Sequence, residues 1–350
     1  MIRSATRCPK RWRAVQLLRP SVSVRFLLFP LLAACNGDAR PLPPPGNPGY
    51  QAISFLGDTL LMPAMSEEAR QHYQADLDEA RAAYEHAPLD ADSIIWYGRR
   101  LGYLGQYQEA IRVFSNGIQL HPDNAWLYRF RGHRYITVRR LNDAVSDLEK
   151  AMRLTADEPD IIEPDGQPNA KGVPVSTLQS NIRYHLALTC YLQGNFEKAA
   201  EVAQEEVNAA DNDDRRVAMT HWLYMSLRRM GRDSVAAAVL EPVAANMHVV
   251  ENQVYHRLLL LYKGELPPDS LLTTTTEGQP SAQDAATAYG LGNWYWYNGQ
   301  HEKARELWRR VVGAGQWAGF GAIAAEAELA RLDSTADGNF TSGLALAKHR

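Results

Sequence analysis

Small residues set 34 positions apart constrain this chain more than any other feature. Gly98 and Ala110 recur as Gly132 and Ala144, Phe114 becomes Leu148, Gly117 becomes Ala151 and Leu101 becomes Tyr135. Within each unit the apolar residues fall at helical spacing, and the unit has room for two helices and a short turn. Paired helices pack about 8–10 Å apart, a distance set by the side chains at their crossing. Glycine and alanine there let the backbones approach, and larger residues fill the grooves around them. Pro122 stops the second helix because its ring clashes with the preceding turn and lacks an N–H. The expected fold class is all-α, an α-solenoid in which each helix pair buries its apolar face on the next.

The first unit, about 91–124, carries Ile94, Tyr97, Gly98, Leu101, Gly105, Tyr107, Ala110, Phe114, Gly117 and Pro122. The second, about 125–157, carries Tyr128, Gly132, Tyr135, Leu141, Ala144, Leu148 and Ala151, with Arg131 and Ala156 departing from the pattern. Less complete units follow at about 180–213, 217–248 and 285–316; the middle one has Tyr224 where a small residue belongs and Pro242 inside its second helix. These residues resemble the tetratricopeptide repeat, and the resemblance covers roughly 66–332. It implies a right-handed superhelix whose concave face is lined by the first helix of each pair. Carried over position by position, that face comprises Arg99 and Tyr103, then Trp126, Arg129 and His133, then Tyr184, His221 and Arg228, and finally Trp296 and Tyr297.

The flanks read as caps. Ser66 is a good N-cap, and Ala69, Tyr73, Leu77, Ala80 and Tyr84 make one helical face closed by Pro88. An alanine-rich helix at 319–332 is expected to cover the open end, followed by a disordered tail at 333–350. A further helix is expected over 249–262, then a loop around a short turn at 267–280. One insertion, 155–175, breaks the period with four prolines, two glycines and the acids Asp157, Glu158, Asp160, Glu163 and Asp165. Long loops in compact repeats are often functional. These acids lack the alternation and central glycine of a calcium loop.

The first 25 residues hold seven bases and no acid, and a nine-residue apolar run follows from Phe26 to Ala34. That run is far short of the roughly 20 residues needed to cross a bilayer and reads as a secretory signal. Leu32-Ala33-Ala34-Cys35 resembles the bacterial lipobox, which implies diacylation of Cys35 and loss of 1–34. Multiple acyl chains on one residue give a stable anchor. By the same resemblance, Asn36 rather than Asp after the cysteine favours the outer membrane, facing the periplasm. Residues 35–65 then form a Pro/Gly-rich tether and an extended segment expected to cover the first helix. The whole chain has 37 bases against 40 acids; losing seven bases leaves 30 against 40, a net of -10. An acidic, lipid-tethered body is not a nucleic-acid binder.

Catalytic motifs are missing from the sequence. There is no Gly-x-Ser-x-Gly elbow, no phosphate loop and no His-Glu-x-x-His pair, since Arg305 stands four residues after His301. The ten histidines never cluster at metal-ligand spacing, so neither metal nor cofactor is expected. Cys190 falls at a core position, as a small hydrophobe. The expectation is a non-catalytic envelope lipoprotein whose concave face binds partner proteins. Arg99, Arg129 and His133 would receive an acidic or C-terminal segment, because guanidinium forks suit carboxylates. The alternative is an outer-membrane lipoprotein that captures a glycan on Trp296 and Tyr297.

Overall fold

The computed structural model describes residues 49–271 and 281–336. The expected signal, Cys35, the proline-rich tether and the chain beyond 336 lie outside them.

A short antiparallel hairpin, β1 (Tyr50–Ile53) and β2 (Thr59–Leu61), precedes thirteen helices among the described residues. After α1 (Glu67–His86) come the pairs α2 (Ala91–Tyr103) with α3 (Tyr107–Leu120), α4 (Ala125–Thr137) with α5 (Leu141–Leu154), and α6 (Leu178–Gln193) with α7 (Phe196–Ala209). Then follow α8 (Asp213–Arg229) with α9 (Asp233–Val239), a single α10 (Gln253–Lys263), α11 (Ala282–Tyr297) with α12 (His301–Gly313), and α13 (Phe320–Ala336). Each helix packs on its neighbours in sequence except at α9 and α10, where α10 packs on α8 and α11 instead. The architecture is the expected all-α solenoid of tetratricopeptide-like helix pairs.

Local chemistry sets the helix starts. Ser66 caps α1 by accepting from the Ala69 amide, Asp90 caps α2 through Ser93, and Thr177 and Ser180 form a reciprocal capping box at α6. The pairs share one contact. A Cβ on Gly98 would lie 2.4 Å from the Phe114 ring, one on Gly132 2.9 Å from Leu148, and one on Gly292 2.5 Å from the Trp308 indole. In each case the partner lies sixteen residues further on.

The fourth pair departs for two reasons. Pro242 disfavours helix in the residue before it, and α9 stops after seven residues at Val239. Tyr224 stands where the other pairs have glycine or alanine, and it stacks instead on Tyr262 of α10 at 4.6 Å. A cavity of about 270 Å³ opens beside it, bordered by Arg228, Ala237 and Leu240.

Two flanking segments differ from expectation. The hairpin does not lie on α1. Gln51 Oε1 accepts from the Tyr107 and Gln108 amides at the start of α3, and Ala52 and Leu60 join the core with Tyr107, Tyr135 and Leu141. The closing helix α13 is also more deeply enclosed than a cap at an open end requires. Ala322, Ile323, Ala324, Ala325, Ala327 and Leu329 are all buried, and the helix packs on α6, α11 and α12. Its small side chains admit neighbours on several faces, and it runs four residues beyond the expected end, to Ala336.

The two flanks meet at Arg139. This residue has φ 65° and is the one non-glycine with positive φ among the described residues. It stands 34 residues after Gly105, which has φ 79° in the same turn of the first unit. Its buried guanidinium pairs with Glu326 of α13 at 2.7 Å and donates to the Trp317 carbonyl at 2.9 Å. Glu326 also accepts from the Phe55 amide of the hairpin. A left-handed non-glycine residue costs about 1–2 kcal/mol, and this buried network holds it in place.

Candidate functional site

The first-helix residues separate into two places. Arg99 and Tyr103 of α2 and Arg129 and His133 of α4 converge on one cleft, as the repeat demands of neighbouring first helices. Gly98, Phe114, Phe130 and Arg134 complete its protein wall. Trp126 stands behind it, stacked on Phe130 at 6.1 Å. The remaining residues serve the core further along. Tyr184 hydrogen-bonds the Tyr255 hydroxyl at 2.7 Å. His221 is buried against Tyr255 at 4.7 Å. Arg228 pairs with Asp233 and donates to the Tyr224 hydroxyl and the Tyr297 carbonyl. Trp296 stacks on His301 at 4.2 Å, and the Tyr297 hydroxyl donates to the Met225 carbonyl. Both rings are engaged in packing within the protein, Trp296 also against Trp308 at 5.5 Å and Tyr297 beneath the Arg228 guanidinium at 4.9 Å.

The expected groove is largely filled by the chain itself. Phe320 of α13 lies 5.2 Å from the His133 ring and 5.5 Å from His185. Glu328 accepts from Tyr191, Tyr289 and Arg229. What remains is the α2–α4 cleft, and the 155–175 insertion lies across it. Glu163 pairs with Arg129 at 2.9 Å, with both side chains over 90% buried. Arg99 donates to the Pro164 carbonyl at 2.8 Å, and Arg100 to the Gly166 carbonyl at 3.0 Å. Gln167 donates to the Tyr73 hydroxyl of α1 at 3.0 Å.

The charges do not balance. Three guanidinium groups, from Arg99, Arg129 and Arg134, border a cavity of about 170 Å³ together with two carboxyl groups, from Glu163 and Asp165. Arg134 donates to His133 Nε2 at 2.6 Å, and no described carboxylate pairs with it. Burial pulls its guanidinium down to about 10. Burial and then the neighbouring arginines hold His133 well below the usual histidine range, so its ring is neutral. A neutral imidazole has one acceptor nitrogen. With Nε2 accepting from Arg134, Nδ1 carries the proton and faces Arg129 Nη1 at 3.4 Å without accepting. The Nε atoms of Arg99 and Arg129 and Oε2 of Glu163 are buried without partners. The cleft therefore retains donor capacity and positive charge that the loop does not satisfy.

No family model matches the chain, and no curated protein matches it. Among solved structures it is similar to YrrB, a TPR protein with an unusual peptide-binding site, at 17% identity and TM-score 0.38 over 68% of this chain and 95% of that one. It is also similar to a tetratricopeptide repeat protein from Parabacteroides merdae, at 13% identity and TM-score 0.44 over 74% of this chain and 98% of that one. Likeness at this level transfers no site and no activity. The helix pairing rests on the chain's own sixteen-residue contact between small and large residues.

Sequence reasoning overlooked Arg100 and Arg134, and it named Glu163 and the glycines of the insertion without joining them to the groove. The two arginines were findable, because Arg99-Arg100 and His133-Arg134 occupy equivalent places in successive units. Nothing in the spacing said that Glu163 would fold back onto them. Among the described residues no group of three or more His, Cys, Asp or Glu could hold a metal, and no helix is long and apolar enough to cross a membrane. Cys190 is buried, and that burial pushes its thiol up to about 12, which leaves it un-ionised at neutral pH.

His221 gives a pH prediction. Burial holds its folded pKa down at about 3, against about 6.5 in an unfolded chain. Below the unfolded value, the unfolded state takes a proton that the native state refuses. Stability is therefore full above about pH 6.5 and is lost as pH falls towards about 3, by at most about 1.4 kcal/mol per unit. Between about pH 7 and pH 5 the loss from this residue should be about 2 kcal/mol. Its Nδ1 lacks a partner and its ring lies among tyrosines, so His221→Phe should fold. Urea titrations of that variant should show the pH slope reduced by this amount; an unchanged slope would place the titration elsewhere.

Proposed function

We propose that this protein is a non-catalytic envelope lipoprotein whose α2–α4 cleft binds an acidic, extended segment of a partner protein. The observation that carries the reading is the surplus of guanidinium groups, two buried and one half-buried, around a cavity whose counter-charge comes from an acidic stretch of the chain itself. Charge-assisted hydrogen bonds to carboxylates are the strong kind, and partial burial keeps salt from screening them fully. The lipid anchor at Cys35 and the outer-membrane, periplasm-facing location belong to the same proposal and rest on the lipobox resemblance.

Hexaglutamate carrying a fluorescent dye tests the site. Arg134→Gln removes a cation without stranding a carboxylate, so the fold should survive and binding measured by anisotropy should weaken about tenfold, the equivalent of one net charge-assisted contact. Equal affinity for wild type and variant would reject the cleft. Labelled palmitate should appear on the wild-type chain in a bacterial host and not on Cys35→Ser; label on both would reject the anchor.

A further inference from the structure

Gly166 shows how closely the acidic insertion approaches the groove. A Cβ there would lie 2.0 Å from the Tyr103 hydroxyl and 2.8 Å from Arg99 Nη2. A side chain there would have to push the Tyr103 hydroxyl and the end of Arg99 aside, so the backbone itself lies against the groove wall. The seat is polar throughout: one carboxylate on Arg129, two carbonyls on Arg99 and Arg100, and one amide on Tyr73. The loop brings little apolar burial with it, for Ile161, Ile162 and Val173 are exposed. Its far end is held by a single side-chain bond, from Asn169 to Glu251 at 2.6 Å. Its base is fixed more firmly. Ile162 bridges Thr177, and Asp160 accepts from the Thr177 hydroxyl and the Gln179 amide at the start of α6. Val175 is buried and its carbonyl accepts from Asn212, so it stays with the base; the segment between, 163–174, can leave without unwinding a helix.

We infer that this loop is an internal stand-in for the ligand, which occupies the cleft until an acidic segment of a partner displaces it. The inference rests on the cleft being a site for acidic segments, and it adds that the site is masked in the free protein. The loop presents the same chemistry as the expected ligand, a carboxylate followed by backbone carbonyls in an extended run. Because it is tethered, it competes at the high effective concentration of an intramolecular partner. A cleft occupied nine-tenths of the time binds an outside ligand about tenfold more weakly than an empty one.

Gly166→Val in the full chain sets a branched side chain between the loop and the ends of Tyr103 and Arg99, replaces no groove residue, and is expected to unseat the loop. Hydrogen exchange of the 163–174 amides should accelerate at least tenfold, and dye-labelled hexaglutamate should bind about tenfold more tightly than to wild type. Glu163→Gln, which removes the buried ion pair by another route, should move both measurements in the same direction, and Lys171→Ala on the exposed part of the loop should move neither. Unchanged exchange in both cleft variants would overturn the inference. So would a released loop with equal peptide affinity, and in that case the cleft would still stand as a binding site. A released loop with no peptide bound to any of the proteins would reject the site as well.

Discussion

Glu326→Ala should lower the unfolding free energy by about 3–5 kcal/mol, the usual cost of leaving a buried charge without its partner. Arg139 has no solvent-exposed side-chain surface. It would keep its carbonyl acceptors at Trp317 and Thr137 but lose its only carboxylate, and the Phe55 amide would lose its acceptor. Urea unfolding followed by far-UV circular dichroism measures the loss. Arg139→Gly combined with Glu326→Gln removes both charges and supplies a residue that tolerates φ 65°. The double variant should recover a substantial part of the difference. A loss below about 1 kcal/mol in Glu326→Ala would mean that water reaches the guanidinium.

Gly98→Leu should cost at least about 3 kcal/mol, at the upper end of overpacking, because its first carbon alone would fall 2.4 Å from a Phe114 ring that is 1% exposed. The ring cannot retreat into solvent, so the two helices must separate. Gly313 in α12 supplies the contrast. Nothing lies within 4 Å of a Cβ built there, so Gly313→Ala should stabilise by about 0.4–1 kcal/mol, chiefly by reducing the freedom of the unfolded chain. Two glycines of one chain, replaced by larger residues, should thus shift the thermal midpoint in opposite directions. A stable Gly98→Leu variant would disprove close approach at the crossing.

The repeat core was legible in the sequence because its physics is local. A small residue and a large one sixteen positions apart must meet across one hairpin, and the spacing of Gly98 to Phe114 repeats at Gly132 to Leu148. The short α9 was readable for the same reason, since Pro242 acts within its own turn. The long-range partners were not. Alanine-rich 320–336 gives the same helical signal whether it faces solvent or lies among three helices, because propensity does not record which neighbours arrive. The cleft was half legible. Arg99 and Arg129 followed from register, but their occupant comes from an insertion that obeys no period. Arg139 in place of a turn glycine was the one cue that a solenoid turn was bound to something distant, and its meaning depends on Glu326, 187 residues away.

Stacked repeats ordinarily complete themselves one unit at a time, each resting on the one before. Here the strand pair at Tyr50 and the turn at Arg139 both wait for one carboxylate, which emerges 271 residues after Phe55 and 187 after Arg139. During synthesis the early helix pairs can form, yet Arg139 stays uncompensated until the Phe320–Ala336 segment arrives. The clasp between first and last segments makes stability a property of the whole chain, so nicking or shortening it near that segment should loosen the amino-terminal units far more than distance along the array would suggest.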